Sequence, residues 1–161
     1  MRKLGVIIGL CAVTALTAGT ARAQAVGSYA GTQQNGQDIN FTVTTDTNTG
    51  NPEITAVGFG IAATCTNGST VNTGLGTGAS TDIVDGKATI KFDNYEYYFV
   101  LAVKFGAGNT ATGSLTVDLA ALVASSGPPK KAVLCRTGKQ SFTASLSSQD
   151  RPAAAPHIVI Y

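Results

Sequence analysis

From residue 24 to residue 147, apolar and polar positions alternate in short runs broken by Gly, Asn and Asp, and no stretch sustains a 3.6-residue period with caps. A period of two predicts an all-β domain. Residues 39–45 place Phe41 and Val43 on one face and Thr42 and Thr44 on the other. Residues 54–65 alternate Val57, Phe59 and Ile61 with Gly58 and Gly60, while Ile54 falls out of phase, which predicts a bulge or a late strand start. Residues 87–92 turn Ala88, Ile90 and Phe92 inward and Lys87, Thr89 and Lys91 to water. Residues 95–105 carry Tyr97, Phe99, Leu101, Val103 and Phe105 on one side and Val100 and Ala102 on the other, so this segment is expected to be a central strand.

Turn formers set the order. Residues 26–31 open the domain as a short strand carrying Tyr29. Residues 66–80 are mostly turn formers and read as a loop, followed by a short strand at 81–84. Asp85-Gly86 is the strongest hairpin signal in the chain, and Asp93-Asn94 and Gly106-Ala107-Gly108-Asn109 mark two further reversals. Residues 110–123 pair irregularly, and their Leu119-Ala-Ala-Leu-Val123 end reads as a single helical turn. Ser125-Ser-Gly-Pro-Pro129 interrupts any ladder, because proline cannot donate to one. Residues 131–136 and 140–146 are expected to form a last hairpin across Thr137-Gly138-Lys139. About eight short strands with short connections predict an antiparallel β-sandwich or a small β-barrel, and spacing alone leaves both open. With no Trp, the chain lacks the Cys…Trp…Cys pattern of an immunoglobulin domain.

The N-terminal residues change the compartment. Arg2 and Lys3 precede an apolar run at 4–18, and Ala21-Arg22-Ala23 supplies a small-x-small cleavage site, so 1–23 is expected to be a cleaved secretory signal. The run is too short for a membrane span of ~20 residues, and no stable span is expected after cleavage. The protein is therefore expected to be exported to the periplasm, cell surface or extracellular space. Residues 24–161 keep eight cations against nine acids, a net charge of −1, so no basic field remains to attract nucleic acid. Their two cysteines, Cys65 and Cys135, are expected to form one disulfide in an oxidising compartment.

Residues 24–147 are long enough for one β domain. Residues 148–161 follow as a Pro/Ala linker and an apolar tail, in which Ile158, Val159, Ile160 and Tyr161 are candidates for self-association by strand addition.

Candidate chemistry is sparse. The single histidine, His157, lies in the tail, so no His-based triad is expected, no catalytic residue is nominated, and no metal or cofactor is called for. Asp82 with Asp85, and Asp93 with Glu96, are the carboxylate pairs a glycoside hydrolase would need, yet Asp at a hairpin end ordinarily bonds its own turn. Gly74, Gly76 and Gly78, and Gly106 with Gly108, precede no predicted helix and read as turn glycines rather than a phosphate loop. Tyr95, Tyr97, Tyr98 and Phe99 form the one aromatic cluster; Tyr97 and Tyr98 must point to opposite faces. Tyr95 and Tyr98, with Lys104 on the same outward row as Tyr98, are candidates for a platform on which a sugar ring stacks.

Tyr29-Ala-Gly31, Phe41-Thr-Val43, Cys65, Asp85-Gly86, Phe105-Gly-Ala-Gly-Asn-Thr-Ala-Thr-Gly113 and Cys135-Arg-Thr-Gly138 followed by Phe142-Thr-Ala144 resemble a group of small exported bacterial β-domains. There a Y-x-G opening, an F-x-x-x-x-T-A-x-G hairpin and a C-x-[ST]-G…[FW]-x-A ending recur around a cysteine pair. The resemblance spans 27–144 and implies a sandwich-like fold and a bacterial exported origin; it transfers no catalytic residue, and Phe142 stands where Trp is frequent. The expected function is a non-catalytic binding or surface-structural module that recognises a glycan or another surface protein through a sheet face or the 66–80 loop. One alternative is a fimbrial or adhesin-type assembly subunit that uses the C-terminal tail; a second is a carboxylate-dependent hydrolase.

Overall fold

The computed structural model describes residues 25–94, 96–123 and 131–148, and among them the alternating segments become nine strands with no helix. They are β1 (Gly27–Gln33), β2 (Asp38–Thr45), β3 (Pro52–Cys65), β4 (Thr70–Asp82), β5 (Lys87–Asp93), β6 (Tyr97–Phe105), β7 (Thr110–Val123), β8 (Lys131–Arg136) and β9 (Gln140–Ser148). Every pairing is antiparallel. Hydrogen bonds run in the order β4-β3-β2-β1-β9-β7-β6-β5, and β8 links β7 back to β3. The circuit β3-β2-β1-β9-β7-β8 therefore closes into a six-stranded barrel. Of the two architectures that spacing left open, the barrel is the one found. β4 extends the sheet beyond β3, and β6 and β5 extend it from the other edge of β7.

Closure rests on two residue pairs, Thr64 with Arg136 and Cys65 with Cys135. The second pair is the expected disulfide, joining residues 70 apart in sequence.

Three local expectations are corrected. The 66–80 segment is not a loop: only 66–69 turn, and β4 then pairs with β3 from Thr64↔Thr70 to Glu53↔Asp82. Its Gly and Thr content hides a strand that is held by backbone bonds more than by side-chain burial. The end of β7 is not a helical turn; it runs straight on to Val123 because β8 pairs with it. Nor do β8 and β9 form a hairpin. Both run antiparallel to β7, β8 along Asp118–Val123 and β9 along Thr110–Leu115, so they lie end to end. Between them Thr137, Gly138 and Lys139 oppose only Thr116 and Val117, one residue too many, and Gly138 takes up the excess at φ 65°. Thr137 keeps the ladder alive there. Its N–H donates to the Val117 carbonyl (3.0 Å), and its Oγ1 accepts from the Val117 N–H (3.0 Å).

The phase break at Ile54 is a bulge, since the register with both β2 and β4 shifts between Ile54 and Ala56. Asp85 and Gly86 adopt φ 50° and 69°, as a two-residue primed turn requires, and Val84 and Lys87 exchange both backbone bonds at 2.9 Å. Pairing stops after that single bridge, so the turn is a corner that carries the chain from β4 to β5.

The core forms where the inward rows meet. Tyr29 stacks on Phe41 with ring centroids 5.1 Å apart, and Phe105 meets both edge-on at 5.4 and 5.9 Å. Phe59 meets Phe99 at 5.0 Å, and Phe92 stacks on Phe99 at 5.5 Å. Phe99 and Phe105 belong to β6, so these contacts fasten the β5–β6 ribbon over the β1–β3 wall. The other face of that ribbon is left to water.

Candidate functional site

Strand β6 lies between β5 and β7, paired along both edges. Its period of two buries Phe99, Leu101, Val103 and Phe105 and sends Tyr98, Val100, Ala102 and Lys104 outward. Tyr98 is one of four large apolar or aromatic side chains exposed among the described residues, at 38%. Lys104 is exposed too, six residues further along the same row. The structure thus puts the sequence-nominated Tyr98 and Lys104 on one outward face; Tyr95 lies outside the described residues.

The register supplies neighbours that the sequence reading did not name. Tyr98 sits between Asp93 on β5 and Asp118 on β7. Asp118 in turn pairs in register with Arg136 on β8, whose Nε lies 3.5 Å from its Oδ1. Across this end of the face the row reads Asp93, Tyr98, Asp118, Arg136. At the other end Lys104 sits between Lys87 on β5 and Thr112 on β7, and Thr143 on β9 and Thr32 on β1 continue the row. The turns carried the missing signal. The reversal at Asp93-Asn94 places Asp93 opposite Tyr98, and the 106–109 loop places Asp118 and Thr112 against β6. The Asp93 turn is set by Asn94, whose Oδ1 accepts from the N–H of Glu96 (2.9 Å) and of Tyr97 (2.7 Å).

The remaining candidates separate. Asp82 and Asp85 flank the β4–β5 corner, whereas Asp93 and Glu96 lie at the opposite end of β5, and all four are exposed. Seven strand residues span about 20 Å, so the two carboxylate pairs do not share one cleft. The 74–78 glycines lie within β4, and the 106–108 glycines in the β6–β7 connection, as strand and turn residues. The tail residues Ile158, Val159, Ile160 and Tyr161 fall outside the described residues, as does the 1–23 segment.

Chemically, the β5–β6–β7 face offers an aromatic residue flanked in register by two aspartates at one end, hydroxyls, small side chains and the Lys91 ammonium in the middle, and the Lys87 and Lys104 ammonium groups at the other. No protein-family profile, curated protein or solved structure matches the chain.

Proposed function

We propose that the protein is an exported, non-catalytic module that binds a glycan on the outward face of β5, β6 and β7. The observation that carries this reading is the exposed Tyr98, flanked in register by Asp93 on β5 and Asp118 on β7. A sugar presents an apolar ring face that stacks on an aromatic side chain, and hydroxyls that donate to flanking carboxylates. Because β6 is bonded along both edges, the ring's backbone is fixed before any ligand arrives, which lowers the ordering cost of binding. The test is a glycan array probed with the purified protein and with Tyr98→Ala. Binding by the wild type that the variant loses, at an unchanged melting temperature, is the expected result; equal binding by both contradicts the reading.

A second reading, assembly through strand addition, is favoured by the outer edge of β4. Thirteen residues long, this strand carries no Lys and no Pro, and its only charge is Asp82 at the end. Such an edge invites a further strand. The apolar 157–161 tail of a second copy is the proposed occupant, where it would cover the half-buried Val71 and Leu75. Deleting residues 152–161 tests it: oligomers that become monomers support assembly, and a chain that is monomeric with or without the tail contradicts it.

A further inference from the structure

We infer that the ligand of this face is an acidic polysaccharide, whose anionic group is held by Lys87, Lys104 and Thr112 at the opposite end of β6 from Tyr98; the inference rests on the glycan reading above. Lys87 and Lys104 are direct cross-strand partners, and both are exposed. Direct partners have Cβ atoms about 5 Å apart, and like charges so placed repel. Among the described residues neither ammonium has a carboxylate within ion-pair distance, and the one ion pair is Arg136 with Asp118.

Edge protection accounts for part of this charge and leaves the rest. β5 ends the sheet, and lysines on an edge strand deter pairing with other chains, which explains Lys87 and Lys91. Lys104 is different: it stands on an interior strand with β5 on one side and β7 on the other. An anion between Lys87 and Lys104 removes the repulsion and gains two charge-assisted bonds. The Thr112 hydroxyl, next in the row and exposed, is placed to donate a third.

The two ends of the face define the ligand's length. Six residues along a strand separate Tyr98 from Lys104 by about 20 Å, so one molecule reaching both is a chain of sugars rather than a monosaccharide. Between them the surface carries Val100, Ala102 and Ser114, with the exposed Lys91 beside Val100 on β5. The attraction is local, because residues 24–161 carry a net charge of −1. It is therefore screened over the ~8 Å Debye length of physiological salt.

The test compares dextran sulfate, unmodified dextran, inorganic phosphate and phosphatidylglycerol vesicles as probes of the wild type, of the double variant Lys87→Gln/Lys104→Gln, and of Lys139→Gln as a control at an exposed lysine of the β8–β9 junction, outside the Lys87–Lys104–Thr112 row. The expected result is binding to dextran sulfate that weakens with salt, drops at least tenfold in the double variant and is kept by Lys139→Gln, with melting temperatures alike. Dextran and dextran sulfate bound equally well overturns the acidic-ligand inference while leaving the glycan reading intact. Failure to bind either dextran or dextran sulfate, or any member of the glycan array, overturns both. Preference for the vesicles or for free phosphate, or an equal loss in Lys139→Gln, also overturns the inference.

Discussion

Cys65 and Cys135 are direct register partners on β3 and β8, and their disulfide sits at the only place where those two strands meet. The covalent bond thus lies within the barrel closure, next to the Thr64–Arg136 pair. Closing a 70-residue separation removes denatured-state entropy worth roughly 4 kcal/mol on the chain-entropy model. The Cys65→Ala/Cys135→Ala variant is predicted to lose stability of that order in denaturant melts. It is also predicted to free β8 first, seen as hydrogen exchange at Leu134 and Arg136 rising before exchange in β2. Loss spread evenly over the barrel would contradict the assignment.

Gly31 and Gly113 are strand glycines that let neighbouring backbones approach. A Cβ on Gly31 would meet the Thr143 carbonyl, and one on Gly113 would meet the Ala102 carbonyl and the Phe142 ring. Gly78, also in a strand, has open space where its Cβ would stand. Gly31→Ala and Gly113→Ala are predicted to destabilise by about 1–3 kcal/mol or more, and Gly78→Ala to be close to neutral, in parallel urea titrations.

Gln33 is the one polar side chain buried among the described core residues, at 4% exposure. Its Nε2 donates to the carbonyls of Asp38 (3.0 Å) and Gly60 (2.8 Å), tying β1 to β2 and β3. Gln33→Leu keeps most of the volume and removes both donors, which should cost about 1–3 kcal/mol for the carbonyls left unpaired. Equilibrium unfolding reads this directly.

Two groups shape the pH dependence of stability, in opposite directions. Burial raises the Tyr29 hydroxyl above its ordinary 10.0. Its contribution is therefore complete below pH 10 and is lost as pH climbs through the higher folded value. Asp46 is held below 3.8, first by the Asn48 N–H (2.8 Å) and then by the Thr49 hydroxyl (2.9 Å). Its contribution is complete above pH 3.8 and is lost as pH falls through the lower folded value. Tyr29→Phe should flatten the alkaline limb of a stability–pH curve, and Asp46→Asn the acid limb.

Much of this architecture was legible because inward rows keep strict phase. Phe41 and Val43, Val57 to Ile61, and Phe99 to Phe105 each announce a buried face, and the slip at Ile54 announces its bulge. β4 was hidden because Gly74, Gly76 and Gly78 carry no side chain to show alternation, and its partner β3 supplies the order. The β8–β9 junction is hidden for a different reason. A short Thr-Gly-Lys interval between two strands reads as a turn, whereas here Gly138 absorbs one extra residue along a straight path, a choice dictated by β7 and not by local sequence. Of the candidate site, Tyr98 and Lys104 were readable from periodicity on one strand. Asp118 and Lys87 needed the register of two neighbouring strands.

The most direct test of the binding face is an amide-shift map recorded by NMR while a mixed panel of neutral and acidic oligosaccharides is added to the purified protein. The account predicts shifts confined to Tyr98, Val100, Ala102, Lys104 and their cross-strand partners on β5 and β7, with Asp118 among them. Shifts centred on β4, or none at all, would contradict it.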